Sequence, residues 1–291
     1  MQKLTYTNIL GESLVFYRDP PFIFRSIKGT GHAGLVVSTL QGVYQSGDST
    51  VSLRRQHREV DLTFSIAATN LEALYTHRRQ LCGVLAAWKA FDGSRRARII
   101  YENDSGRWWT WAIPEVGPNF ESRIASYHLD IPITFRCESP YWYDMAKSNV
   151  VLAYSGAGFS LPFTFPISFG SRDFSRTAEN VGHVPAPVEV VIEGQGETPL
   201  LINADTGAQL RLTSALPAGH TLTINTDPAQ LAATVRDDGG SDESAFGLLA
   251  IDSPLTVFTL RPGLNKLVYE PGGGAALSRI TVSWYAQYEG V

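Results

Sequence analysis

Acidic pairs at Asp237-Asp238 and Asp242-Glu243 could hold a cation or serve as the acid and base of a glycosidase, and six histidines and two cysteines could ligate a metal. Two carboxylates cleave a glycosidic bond only when both face one groove, and these lie in a Gly/Ser-rich segment where solvated loop carboxylates are the ordinary outcome. The histidines, His32, His57, His77, His128, His183 and His220, share no HExxH or other converging spacing. Cys82 and Cys137 have neither a CxxC partner nor a nearby histidine, so buried free thiols are expected rather than a bridge. Gly29-x-Gly31-x-x-Gly34 carries the letters of a dinucleotide loop, but it lies among β-like runs without the strand-to-helix crossover that would set a pyrophosphate on a helix N-terminus. Neither a Gly-x-Ser-x-Gly elbow nor a phosphate-cradling GxxxxGK[ST] occurs. No catalytic, cofactor or metal residue is therefore assigned, and neither enzyme activity nor a cofactor is expected.

Two other clusters suit contacts between proteins. Arg54, Arg55, His57 and Arg58 form the one dense basic patch. Exposed arginines can bind carboxylates across a subunit boundary in a bidentate geometry that lysine lacks, and a solvated surface is the alternative. In Trp108-Trp109-Thr110-Trp111, strand alternation places Trp109 and Trp111 on one face and Trp108 on the other. One of these faces belongs to a core, and the other is free to be buried by a neighbour. Arg54, Arg55, Arg58 and Trp108 are the candidate subunit contacts.

These residues must be positioned by a β-rich frame. Short apolar runs at 4–9, 14–17, 22–27 and 35–40 are separated by Gly11, Asp19-Pro20-Pro21 and Gly29-Thr30-Gly31, and the run 50–66 reads as two strands or as one strand with a bulge. Thr69-Asn70-Leu71-Glu72 fits a capping box that starts a helix of about five turns, with an apolar stripe through Leu71, Leu74, Tyr75, Leu81, Cys82, Leu85 and Trp88. Strand patterns resume at 97–102, 108–116 and 123–136, and Pro140, which has no N–H to donate, leads into the aromatic knot Tyr141-Trp142-Tyr143 at a domain junction. Residues 1–144 form one unit, 145–182 an extended linker and 183–291 a second, all-β unit of short strands broken by turns about every ten residues. The expected class is mainly β: a sandwich with one packed helix, then a jelly-roll or related sandwich.

The 44% apolar and 18% charged composition suits a folded domain pair, with no run of roughly 18 apolar residues to insert in a membrane and no secretion signal, so folding in the cytosol is expected. Residues 1–150 carry 17 Lys and Arg against 14 Asp and Glu, and residues 151–291 carry 7 against 14. That first balance is far below the basic stripe of a nucleic-acid reader, and sequence-specific DNA binding is not expected.

The order of parts, with Ser52-Leu53-Arg54-Arg55, the capped helix, Pro140-Tyr141-Trp142-Tyr143-Asp144 and Pro262-Gly263-Leu264-Asn265-Lys266-Leu267, resembles the distal tail protein family of long, flexible-tailed bacteriophages over essentially the whole chain. The resemblance implies a tail-tube-like first domain that closes a ring, usually a hexamer, and a galectin-like second domain that projects outward. It implies a virion hub, assembled in the host cytoplasm, that joins the tail tube protein to the tail-tip or fibre protein, with receptor-binding proteins attached outside. Members that grip the host carry a large insertion in the second domain, and no turn here is long enough for one. The rival from another class is a carbohydrate-binding module, for which Trp284 is either the stacking platform or a core residue; no His-x-Asn-x-Arg arrangement accompanies it.

Overall fold

The computed structural model describes residues 2–120, 127–153, 174–194, 198–270 and 279–291, with the backbone path alone at 127–129. The chain divides into two compact units, Met1–Met145 with Tyr288–Val291, and Ala146–Gln287. No helix among the described residues is long and apolar enough to cross a membrane.

The first unit contains β1 (Lys3–Thr7), β2 (Ser13–Phe16), β3 (Phe22–Lys28), β4 (Leu35–Leu40), β5 (Ser49–Arg55), β6 (Arg58–Ala67), α1 (Leu71–Val84), β7 (Arg98–Asn103), β8 (Gly106–Trp111), β9 (Ile113–Val116), β10 (Tyr127–Cys137) and the start of β11 (Trp142–Ala153). One antiparallel sheet has the order β11–β8–β7–β1–β2, a second has β3–β6–β10–β9, and β4 and β5 pair only with each other. Side chains two apart point the same way, so β1 buries Leu4 and Tyr6, β6 buries Val60, Leu62, Phe64 and Ile66, and β10 buries Ile131, Ile133 and Phe135. The two larger sheets meet through these rows. Tyr6 stacks on Phe135 at 5.5 Å, and Phe16 meets Phe64 edge-on at 4.9 Å.

Helix α1 closes one side of this core with Leu74, Leu81 and Val84. Its cap is Asn70, one residue past the expected Thr69: the Asn70 carboxamide oxygen accepts the Ala73 N–H at 2.8 Å. The helix also stops earlier than expected, at Val84, and a 3-10 turn at Ala87–Lys89 follows. Tyr75 and Trp88, placed in the buried stripe by their spacing, are 47% and 65% exposed. His77 meets the Phe22 ring edge-on at 6.1 Å. Cys82 is exposed rather than buried, whereas Cys137 is buried and its thiol is pushed up to about 12 by desolvation.

The second unit contains the remainder of β11, then β12 (Ser175–Asn180), β13 (Ala186–Glu193), β14 (Leu200–Asn203), β15 (Gln209–Arg211), β16 (Thr221–Asn225), β17 (Ala232–Arg236), β18 (Asp242–Ser244), β19 (Thr259–Leu260), β20 (Gly263–Glu270) and β21 (Arg279–Tyr288). One sheet has the order β18–β17–β16–β13–β21 and the other β12–β20–β14–β15, all antiparallel. Val188, Val190, Leu222, Ile224, Ile280, Val282 and Trp284 from the first sheet pack with Leu201, Leu210, Leu267 and Tyr269 from the second in one cluster. This is a second β-sandwich. The stretch expected as an extended linker carries strand at both ends, in β11 up to Ala153 and in β12 from Ser175, and its middle, 154–173, lies outside the described residues.

Candidate assembly interface

The hairpin β4–β5 is the part of the first unit least explained by its own fold. Val37 pairs with Leu53 and Leu35 with Arg55, so these four share one face, while Val36 and Arg54 share the other. From Leu35 through Arg54 every residue is exposed except the half-buried Val36. The exposed set includes Leu35, Val37, Leu40, Val51 and Leu53 on the strands and, at the tip, Val43 and Tyr44, which are 93% and 100% exposed. The turn is closed by Gln45, whose amide N–H donates to Gly42 O at 3.0 Å and whose side-chain oxygen accepts the Gly42 N–H at 3.1 Å. A two-stranded ribbon with water on both faces is marginal by itself. Both of its outer edges also present unpaired backbone N–H and C=O groups among the described residues, which is a template for strands of another chain.

What holds the ribbon is its root. The loop 29–34 enters β4, and its carbonyls are almost fully used. Gly29 O and Gly31 O both accept from the Arg58 guanidinium. Thr30 O accepts the Trp142 indole N–H at 3.2 Å and the Val291 N–H at 3.1 Å. Ala33 O accepts from Arg55 at 3.3 Å, and Gly34 O accepts the Gln56 N–H at 2.8 Å. Gly29 has φ +88°, and a Cβ there would stand 2.0 Å from Glu59 O, so only glycine fits.

Arg58 is 1% exposed and also donates to Pro140 O at 3.1 and 2.7 Å and to Glu289 O at 2.7 Å, with its guanidinium 5.4 Å from the Trp142 ring centroid. Burial lowers its pKa to about 10, which leaves it charged at neutral pH, and the surrounding carbonyl dipoles replace its lost hydration. Arg55 meets the Glu289 carboxylate through two guanidinium nitrogens, Nε at 3.2 Å and Nη2, and His32 Nδ1 contacts the same carboxylate. Burial works to raise the Glu289 carboxyl, but the hydrogen bonds from Arg55 and His32 outweigh it and hold it below the ordinary glutamate range.

No protein-family model and no curated protein matches the sequence significantly. Solved structures do match. The Dit protein of phage SPP1, a hub of the adsorption apparatus in phages infecting Gram-positive bacteria, superposes with a TM-score of 0.65 at 11% identity, over 97% of this chain and 98% of that one. Chains of the phage p2 baseplate in its activated conformation superpose with TM-scores of 0.57 (strontium form, 12% identity, 100% of both chains) and 0.56 (calcium form, 12% identity, 100% of this chain and 99% of that one). The chain has the fold of a phage Dit protein.

On this Dit fold the four candidate contact residues separate. Arg54 is exposed on the hairpin, and Arg55 sits at its root with its charge matched by Glu289. Arg58 is enclosed by its own unit, so it has no surface to offer a neighbour. Trp108 packs on the first unit's core and lies edge-on to Tyr288 at 6.5 Å, so its face of the indole cluster is the inward one. Trp109, on the opposite face, is covered by the stacked Tyr143 ring at 4.8 Å.

The residues considered for catalysis do not converge. Asp242 is paired with Arg236 at 2.7 and 2.8 Å on the surface, and Asp237 accepts the Ser241 N–H at 2.8 Å in a turn. Among the described residues no three His, Cys, Asp or Glu side chains gather as a cation would require. Trp284 is 4% exposed and belongs to the second unit's core, so it has no face for a sugar. The Pro-Gly-x-Asn turn is structural: buried Asn265 donates to Arg261 O at 2.8 Å and Gly263 O at 3.0 Å and accepts the Arg261 N–H at 3.0 Å. Sequence reasoning missed the Arg58 node and the role of Glu289. Gly29, read in the sequence only as part of a turn and of the string Gly29-x-Gly31-x-x-Gly34, was the one local trace.

Proposed function

We propose that copies of this chain close into a ring of six that serves as the structural hub of a phage tail tip. The carrying observation is the β4–β5 hairpin, an arm whose apolar side chains and backbone edges find no cover among the described residues of the first unit. Covering the arm's seven exposed apolar side chains on a neighbour is worth roughly 10 kcal/mol gross at about 25 cal/mol per Å². Association costs about 4–15 kcal/mol, so one arm barely holds two copies together. In a closed ring each subunit gives one arm and receives another, and that second contact carries little further entropy cost. Arg54, on the arm's other face, is the residue proposed to meet a neighbour's carboxylate.

The likeness in fold to the SPP1 hub and the p2 baseplate supports placing the ring between the tail tube protein and the tail-tip or fibre protein of a virion. Assembly takes place in the host cytoplasm, and receptor-binding proteins attach outside. The role is structural and non-catalytic, in keeping with the scattered ionisable groups. Imaging of the purified protein by negative-stain electron microscopy tests the reading. Rings with a central hole are expected, and particles of single-subunit size at micromolar concentration count against it.

A further inference from the structure

The hairpin reaches the rest of its unit through loop 29–34 and through Arg55, and both are held by a segment far away in sequence, Tyr288–Val291. We infer that this segment is a clasp whose Glu289 fixes the root of the hairpin, making Glu289 a positioning residue for assembly. The inference rests on the reading of the hairpin as the assembly arm.

Three contacts carry it. The Glu289 carboxylate binds Arg55, the last residue of β5, and His32 in the loop. The Glu289 carbonyl accepts from Arg58, whose guanidinium also binds Gly29 O and Gly31 O, so one cation ties the clasp to the loop. Val291 N–H bonds to Thr30 O at 3.1 Å, and Gly290 lies so close that a Cβ there would sit 3.1 Å from Gly31 Cα. The clasp thus lies along the loop backbone while its acidic side chain, Glu289, reaches the far strand of the hairpin. Both strands are anchored at the same point: β4 through the loop and β5 through Arg55. A ribbon with no packing on its faces takes its direction from its anchors alone, and an arm must point correctly in every subunit for a ring to close.

The test is Glu289→Gln in the full chain, read by hydrogen exchange at the Gln56 amide, which bonds to Gly34 O, and by the subunit concentration at which rings dissociate. Replacing the carboxylate and its charge-assisted bonds to Arg55 and His32 by a neutral amide predicts exchange faster by about ten- to a hundredfold at Gln56, with β6 and β10 amides unchanged, and weaker rings. The double variant Arg55→Glu with Glu289→Arg restores the pair in reverse and recovers most of the protection, which a merely structural role for either residue alone does not explain. If Glu289→Gln unfolds the first unit, the reversed pair decides: recovery of fold and protection supports the clasp, and continued unfolding overturns it. Unchanged Gln56 exchange in Glu289→Gln also overturns it. Leu53→Ser separates the two readings. If Leu53→Ser dissociates rings and Glu289→Gln does not, the clasp alone falls. If the wild type is monomeric the hub reading falls, and the exchange experiment still judges the clasp.

Discussion

Replacing Val37 and Leu53 together by threonine isolates what the hairpin's apolar face contributes to assembly. The two residues are direct cross-strand partners, 47% and 61% exposed, and threonine is β-branched and suits a strand at both positions while presenting a hydroxyl in place of apolar surface. Full burial of a Val or Leu side chain is worth about 1.5–3 kcal/mol, so covering the exposed shares of the pair contributes about 2–3 kcal/mol per subunit contact. That is roughly 30- to 150-fold in each contact's equilibrium constant, or about 12–18 kcal/mol over a ring of six. Because both side chains are open to water in the single chain, the variant's unfolding midpoint stays within about 0.5 kcal/mol of wild type, the usual range for surface changes. Sedimentation velocity over a concentration series reads the result: wild type sediments as a ring, and the variant as monomer at the same loading with an unchanged circular-dichroism melt. A variant that assembles with the wild-type midpoint would refute the claim that this face is buried between copies.

Arg58→Met keeps the side chain's bulk but leaves the carbonyls of Gly29, Gly31, Pro140 and Glu289 without their buried donor, which costs about 3–5 kcal/mol; calorimetry should show the first unit's transition lowered by roughly 6–20 °C, and a shift under about 2 °C contradicts the assigned node. The Glu289 carboxyl is held below its ordinary value of 4.5, so its contribution is complete above that pH and is lost as pH falls through the lowered folded-state value. Gln56 protection in the wild type therefore drops as pH falls below about 4.5. In the Glu289→Gln variant Arg55 and His32 face a neutral amide that does not titrate, so the acid step is missing there, and an identical step in both proteins assigns it elsewhere.

Where neighbouring residues decide the structure, the sequence was readable. The strand Leu35–Leu40 was legible as a short apolar run set off by the glycines before it, and Phe22–Lys28 differs from the expected run by a residue at one end. The helix cap moved by one position because Thr69 and Asn70 are adjacent and both able to cap, and asparagine is the better N-cap of the two. The run 50–66 shows where local reading stops. Leu53 and Leu62 have similar surroundings in sequence, yet one is 61% exposed and the other fully buried, because the chain changes sheet between Arg55 and Arg58.

The same limit governs the arginines. Arg54, Arg55 and Arg58 look alike as a basic patch, and charge alone predicts that all three stay in water. What separates them is the supply of acceptors: Arg58 is buried because carbonyls from residues 29, 31, 140 and 289 converge on it, and none of those positions is near it in the chain. A buried guanidinium needs that many acceptors at once, so its position fixes four distant pieces of backbone relative to each other. Gly29 is then explained by its positive φ and the close approach of β6 rather than by any phosphate, and the exposed Arg54 is left as the cation of the group with the surface to meet another subunit.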